Sequence, residues 1–351
     1  MILYYVIIFG LLCIGIRLRN KVSLDESLSI SQSNVIKGFF ILWVFILHLI
    51  PYLKESGYAF DGLGDTLLSP LNIGQYVVAM FLLYSGYGVC QQVLTRSEDY
   101  LQKMPRKRIL ATLLNFDVAV LCFLMISLIM HRHYPLRMIL LSLVGWESLG
   151  NSNWYIFDII ALYILVWLAH VSVKNRIGQW SLFSALVLIF VLAMCLTRPF
   201  WWSDTILCFW CGYTLSCFKE RLQALLEKHW WHALAVAIFA YIFIHVCHLV
   251  LCRFYHAGFI PGWLVLSWLW MNIKHMTLAL GIVLLTMRFG CQSRPLEWCG
   301  KHLFPIYIYQ RLPMMALPAS FIQAEPLGYF AFCLAMTLAI ASLYRYWQIK
   351  L

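Results

Sequence analysis

Charged side chains are scarce in this sequence and make up only 12% of its 351 residues. Hydrophobic residues make up 62%, and the mean hydropathy is +0.78. A soluble domain does not need this much apolar material for its core, which excludes an ordinary soluble enzyme or binding module. Because no linker composition and no internal repeat divides the chain, we expect a single domain over residues 1–351.

Acidic residues are fewer than basic ones, with 15 against 26, so the net charge is +11. The basic residues stand in small clusters between apolar runs. In that position they contact anionic lipid headgroups or determine the topology of a membrane protein. We therefore expect the basic residues to interact with membrane lipids and not with nucleic acid.

The cysteines lack a metal-binding pattern. Most of the 12 stand singly in apolar segments, as small hydrophobic residues do. Cys208 and Cys211 form a C-x-x-C pair, but no second Cys or His pair stands at ligand spacing. We expect no metal site.

Apolar stretches recur along the whole chain at the length of a membrane helix, roughly 20 residues. The pattern predicts an all-α, polytopic membrane helix bundle with about 11 transmembrane helices. The predicted spans are 1–17, 35–53, 72–93, 109–130, 153–171, 179–197, 200–217, 232–252, 262–290, 303–323 and 327–346. Lys274 and His275 interrupt one of them, for which a surface segment followed by a short helix is the alternative.

Lysine and arginine concentrate in alternate loops, after the first, third, fifth, seventh, ninth and last spans. Loops with this excess stay in the cytoplasm. We therefore expect the N-terminus outside and the C-terminus in the cytoplasm. The first apolar segment has no basic region ahead of it and no small-residue cleavage site, so we predict a retained helix rather than a signal peptide.

One histidine lies deep in a predicted span. His48 follows Lys37 by eleven residues in "NVIKGFFILWVFILHLIPYL", which at 1.5 Å per residue places it roughly 16 Å deeper in the membrane. An ionisable group there is costly unless it faces a cavity or a partner. A neutral imidazole is also what a general base for a sugar hydroxyl requires. A neutral histidine bonded to a neighbouring helix is the structural alternative.

Four further segments carry recognisable motifs in order. They are "QYVVAMFLLYSGYGVCQQ" with Phe81, Tyr84, Ser85 and Gly86, "YLQKMPRKRIL" with Lys103, Arg106 and Arg108, "NSNWYIFDIIALYIL" with Trp154 and Tyr155, and "FPIYIYQRL" with Tyr307 and Arg311. Together with the spacing of Lys37 and His48, they resemble the motifs of membrane acyltransferase family 3, integral membrane proteins that modify polysaccharides and other glycans. The resemblance assigns residues 35–346 to the acyltransferase-like core and residues 1–34 to an extra N-terminal helix and loop.

The resemblance implies an enzyme that transfers an acyl group, with acetyl expected, from acyl-CoA to a hydroxyl of a cell-surface carbohydrate or glycolipid precursor. Acyl-CoA is then a donor substrate, and no tightly bound cofactor is implied. We expect the bacterial cytoplasmic (inner) membrane as its location. The sequence departs from the family at Lys37 and Lys103, where arginine is commoner, and at Gln310, where many members have histidine.

The resemblance also implies roles for basic residues. Lys37, Lys103, Arg106 and Arg108 are predicted to bind acyl-CoA, because its phosphates accept charge-assisted hydrogen bonds. An ordinary signal for cytoplasmic loops is the alternative interpretation.

Four residues are predicted to be catalytic. His48 is the general base, and Ser85 offers a hydroxyl for a covalent route, although Ser-Gly in a membrane helix also permits close packing. Direct transfer and an acyl-enzyme both stay open. Asp117 and Asp158 are costly carboxylates inside spans that either orient His48 or pair with buried donors.

Four further residues are predicted to bind the acceptor. Glu147 can bind a sugar by hydrogen bonding, while Trp154, Tyr307 and Arg311 follow from the resemblance. The rival function is a multi-span transporter or flippase in which His48, Asp117 and Asp158 form a polar pathway, but the two halves show no repeat. A partner protein without activity is a third possibility, and it predicts polar membrane residues that face one another.

Overall fold

The computed structural model describes residues 2–58, 74–256 and 263–351. The predicted spans 72–93 and 262–290 therefore begin just outside the described residues. Helices form nearly all of the rest, as the apolar runs predict.

The first half of the chain contains seven described helices. They are α1 (Ile2–Cys13), α2 (Leu24–Ser27), α3 (Ile30–Glu55), α4 (Gly74–Met104), α5 (Ala111–Ile129), α6 (Leu136–Leu143) and α7 (Trp154–Ser172). A π-helical segment, Pro105–Leu110, joins α4 to α5.

The second half contains nine described helices. They are α8 (Arg176–Thr197), α9 (Ile206–Cys217), α10 (Lys219–His256), α11 (Trp263–Arg288), α12 (Arg294–Lys301), α13 (Leu303–Tyr309), α14 (Arg311–Met315), α15 (Ala319–Ala324) and α16 (Pro326–Leu343). Short 3-10 turns occupy Phe200–Trp202 and Tyr344–Tyr346. The non-helical backbone of His229 kinks α10.

In the described residues, eight helical stretches are long and apolar enough to cross a membrane. They are Ile30–Glu55, Gln75–Arg96, Glu98–Ile129, Trp154–Ser172, Arg176–Thr197, Lys219–Leu251, Ser267–Arg288 and Pro326–Tyr346. The prediction of an all-helical integral membrane protein is confirmed.

The number of eleven spans stays a prediction, because three of the predicted spans form shorter helices. Helices α1 and α9 have 12 residues each. Such a helix is about 18 Å long and does not cross a hydrocarbon core of about 30 Å by itself. The third, predicted over 303–323, is broken into α13, α14 and α15.

Glycine pairs bring the helices that carry the motifs into close contact. Gly86 of α4 faces Gly212 of α9, and a Cβ on either one would overlap a backbone carbonyl oxygen of the other helix. Gly38 of α3 and Gly300 of α12 make the same kind of crossing. Small residues allow this approach in membranes, where backbone packing replaces hydrophobic attraction between helices.

The N-terminal segment is attached to the core by a two-stranded antiparallel sheet. Strand β1 (Ile16–Leu18) pairs with β2 (Phe289–Cys291), which follows α11 directly. Next to it, the Arg19 guanidinium donates to the Thr286 carbonyl and forms an ion pair with Glu26 at 2.7 Å. The segment ahead of α3 is thus bonded to the end of α11.

Candidate functional site

A cavity of about 580 Å³ opens at one end of the bundle, between α4, α5, α7, α13 and the C-terminal segment. We call this end the basic end, after five basic residues that line the cavity: Lys107, Arg108, Lys301, Arg345 and Lys350. Among the described residues that line it there is no aspartate or glutamate. Such a mouth attracts anions, and phosphates in particular.

Of the four basic residues predicted to bind acyl-CoA, only Arg108 lines this cavity. Its guanidinium lies near the hydroxyls of Tyr100 and Tyr163. Arg106 is exposed outside the lining, and Lys103 is ion-paired with Asp99 one turn back.

Lys37 is half-buried on α3 and makes no ion pair with any described residue. It is not among the residues that line the cavity. The structure therefore brings Arg108, and not the other three predicted donor residues, to the basic end of the cavity.

Lys301, at the cavity mouth, forms an exposed ion pair with Glu297 at 2.9 Å. A hydrogen bond from Lys301 lowers the pKa of the Glu297 carboxyl. Part of the positive charge of Lys301 is therefore already neutralised, which leaves Lys107, Arg108 and Arg345 as the stronger anion-binding groups at the mouth.

Hydroxyl groups line the inner part of the cavity. Ser85 of α4 lies next to the hydroxyls of Tyr155 and Tyr163, which α7 contributes. The Tyr155 ring packs edge-on against the buried Tyr307 ring of α13, with 5.2 Å between the centroids. The adjacent Gly86 explains close packing, so Ser85 itself is left to face the cavity.

His48 lies next to Tyr307 but is not among the described residues that line the cavity. Its ring centroid is 6.3 Å from that of Tyr307, and its Nδ1 is 3.5 Å from the Ser152 hydroxyl oxygen. The Arg311 guanidinium is close enough to act electrostatically on both His48 and Tyr307, and it lies 5.7 Å from the centre of the Tyr52 ring. Tyr307 therefore neighbours both the cavity and His48.

The loop before α7 positions Ser152 rigidly. Within it, Ser148 donates to the Asn151 carbonyl at 2.6 Å, and the Asn153 side chain donates to the Gly145 carbonyl at 2.9 Å. Gly150 has a φ of +105°, a conformation that favours glycine. These bonds place the buried Ser152 hydroxyl, only 4% exposed, against the imidazole of His48.

Within the described residues, neither predicted carboxylate forms a hydrogen bond with His48, whose Nδ1 faces the Ser152 hydroxyl. Asp117 is half-buried on α5, and its Oδ1 has no hydrogen-bond partner in the described residues. Asp158 is fully buried on α7, close enough to Tyr155 and Tyr307 to interact electrostatically.

Glu147 and Trp154 flank the Ser152 loop. Glu147 forms an ion pair with Arg198 at 3.5 Å, and the Arg198 guanidinium covers the Trp146 ring at 3.6 Å from its centre. Trp154 is half-buried at the start of α7. The face of Trp146 that Arg198 occupies is therefore not available to stack on a sugar.

Sequence reasoning missed four features of this site: Ser152, Tyr163 and Arg345 as site residues, and Tyr155 as a cavity residue. A signal for Ser152 was present, since "GNSN" is a polar run directly ahead of an apolar span. No sequence pattern indicates its contact with His48, which is 104 residues away.

Comparison with known proteins gives one match. The family model described as an acyltransferase domain, that of acyltransferase family 3, matches residues 30–346. No curated protein and no solved structure matches the chain. The match covers the segment with Lys37 and His48 and all of the cavity lining except residues 348–351.

Proposed function

This chain belongs to acyltransferase family 3, and we propose that it transfers an acyl group, acetyl first of all, from acyl-CoA to a hydroxyl of a carbohydrate or glycolipid precursor. The observation that carries this proposal is the arrangement around Tyr307. Tyr307 lines the basic cavity, and His48, which lies close to Ser152, neighbours Tyr307 without lining the cavity. A donor in the cavity and the proposed base are therefore adjacent at Tyr307.

The cavity suits the donor. Coenzyme A carries several phosphate charges, and Lys107, Arg108 and Arg345 can bind them at the mouth by charge-assisted hydrogen bonds. The apolar lining residues Ile156, Ile159 and Leu303 can accommodate the narrower arm of the molecule. The thioester then lies near Tyr155 and Tyr307.

His48 suits the acceptor side. If Nδ1–H donates to the Ser152 oxygen, the other ring nitrogen, Nε2, carries the lone pair that a general base needs. As His48 takes the hydroxyl proton, the acceptor oxygen bonds to the acyl carbon, the carbon–sulfur bond breaks, and a proton reaches the thiolate. Arg311 stabilises the negative charge that develops.

Ser85 supports a second route through an acyl-enzyme. Its hydroxyl borders the donor cavity, so the acyl group can move first to Ser85 and then to the acceptor. Because Ser85 lines the cavity and His48 does not, this route uses a base other than His48 for its first step.

The proposed orientation places the basic end in the cytoplasm, where acyl-CoA is made, and the Ser152 loop outside. Glu147, Trp154 and Arg311 then belong to the acceptor side. The bacterial cytoplasmic membrane is the proposed location.

The test follows radiolabelled acetyl-CoA into the envelope glycan fraction of membranes that contain equal amounts of each protein. Intact protein is compared with His48→Ala and with a control, His170→Ala. His170 is also a buried histidine, but it bonds to Tyr213 and the Val166 carbonyl, away from the cavity.

We expect label with the intact protein and with His170→Ala, and loss of at least 100-fold with His48→Ala, the usual scale for a general base. Equal label with His48→Ala would remove His48 from the chemistry. Absence of label from every protein, with acetyl-CoA shown to bind, would favour a different acceptor.

A further inference from the structure

A non-helical segment, Ser203–Thr205, is completely buried inside the bundle between the turn Phe200–Trp202 and α9. Three side chains of α11 hold its backbone. Trp268 and Asn272 donate to its first carbonyl at 2.9 Å each, and His275 Nδ1 donates to its second at 2.7 Å. Within a membrane protein, irregular backbone away from water is tolerated only where it is buried in protein or lines a cavity, and Ser203–Thr205 is buried in this way.

Two carboxyl groups meet beside this segment. Asp204 belongs to it and Asp158 to α7, both are 0% exposed, and they are close enough to interact electrostatically. Asp158 is the fifth residue of α7, and at 1.5 Å per residue it lies about 6 Å from the start of the helix, where the surrounding protein buries it completely.

None of the four carboxylate oxygens of Asp158 and Asp204 has a hydrogen-bond partner in the part of the chain that the structure describes. The Thr205 hydroxyl and His275 Nε2, also fully buried, have none either. No described lysine or arginine forms an ion pair with either aspartate, and no described group of three His, Cys, Asp or Glu side chains is placed to hold a metal ion.

Two adjacent, ionised and unpaired carboxylates would be very costly in such a place, whereas a bound proton removes most of that cost. The titratable groups around the two carboxyls are few and mostly neutral. Tyr155 and Tyr307 lie close to Asp158. Tyr76, Cys208 and His275 lie close to Asp204. Lys274 lies near His275, and its Nζ is 5.1 Å from the centre of the Tyr76 ring.

We propose that Asp158 and Asp204 form a proton-binding pair inside the bundle, which exchanges its proton with the acyl-transfer site through Tyr155 and Tyr307. Asp158 neighbours both tyrosines, and both line the donor cavity. The His48 ring neighbours the Tyr307 ring, with 6.3 Å between the centroids.

The role in transfer rests on the proposed function. There, the acceptor hydroxyl loses its proton to His48 as its oxygen bonds to the acyl carbon, and the carbon–sulfur bond breaks. The pair donates one proton to the thiolate through the cavity and regains one from His48. Its own protonation is unchanged after each turnover.

The proton-binding step is tested without donor or acceptor, by infrared spectroscopy of the purified full-length protein in lipid nanodiscs. A protonated carboxylic acid has a carbonyl stretch that an ionised carboxylate lacks. We compare intact protein, Asp158→Asn, Asp204→Asn and the control Glu220→Gln, which removes an exposed carboxylate, over a pH series in sodium, potassium or choline chloride.

We expect this band at neutral pH in the intact protein and in Glu220→Gln. Each aspartate variant should weaken or shift the band, because the bound proton is then lost or rests on the one remaining carboxyl. A band that neither aspartate variant weakens or shifts would overturn the proposal. A band that appears only when sodium and potassium are replaced by choline would show a cation site instead.

A second measurement tests the link to transfer. In the acetyl-transfer assay, Asp158→Asn should lower kcat by about 100-fold or more, the scale of proton-transfer catalysis, while the Kd for acetyl-CoA is unchanged. Unchanged kcat, with the infrared result as expected, would leave the proton-binding pair standing and refute its role in transfer.

Discussion

Replacement of Arg108 by alanine should weaken binding of acyl-CoA about 10-fold, whereas replacement of the adjacent Arg106 should change it by less than about 2-fold. Arg108 lines the basic cavity and Arg106 does not. A hydrogen bond to a charged group contributes about 1.5–3 kcal/mol. For Arg108 we use the lower value, about 1.5 kcal/mol, because the cavity mouth is open to solvent. Each 1.4 kcal/mol corresponds to about a factor of 10 in Kd.

The assay is equilibrium binding of acetyl-CoA to the purified proteins at fixed ionic strength, with sodium chloride raised in a second series. The two variants remove the same side chain from the same segment, so each controls for the total charge of the other. A loss of affinity in Arg106→Ala equal to that in Arg108→Ala would show that the charge of the loop, and not its cavity-facing residue, binds the donor.

Three further changes test the packing and the site. Gly86→Ala should prevent normal folding, because a Cβ there overlaps a carbonyl oxygen of α9, whereas Gly88→Ala on the same helix meets open space; the yield of monodisperse protein in detergent distinguishes the two. Ser152→Ala should lower kcat by up to about 10-fold, which is the contribution of one neutral hydrogen bond. Ser152→Thr keeps the hydroxyl and should retain activity. The Kd for acetyl-CoA should be unchanged in both variants. Arg198→Ala should lower the thermal midpoint of the purified protein by a few degrees, because it removes a contact with Trp146 worth about 0.5–2 kcal/mol, and an unchanged midpoint would contradict that assignment.

The long helices were predictable because their information is local. Each of the eight described candidate spans overlaps an apolar stretch that the sequence shows directly. The short helices could not be predicted in the same way. Helix α9, for example, is as apolar as a membrane span, but it begins at a buried polar segment. Ser203 and Asp204 stand in an otherwise apolar run, and only the bonds from α11 explain how that segment can begin inside the protein.

The donor residues show why spacing alone was insufficient. Lys103 and Arg106 are three residues apart, so a regular α-helix would place them on one face. The structure instead has a π-helical segment over Pro105–Leu110, whose wider turn changes the register, and Lys107 and Arg108 line the cavity. Such π-helical turns are rare and frequently occur at functional sites.

One helical turn relates the two parts of the proposed reaction site. Gln310, between α13 and α14, keeps helical backbone angles (φ −57°, ψ −31°), and its N–H donates to the Ile306 carbonyl at 3.0 Å. Tyr307 and Arg311 are four residues apart, so this helical path places them on the same face. Tyr307 lines the donor cavity, and Arg311 is close enough to His48 to act on it electrostatically. The same turn therefore presents one residue to the donor cavity and the next residue on that face to the proposed base.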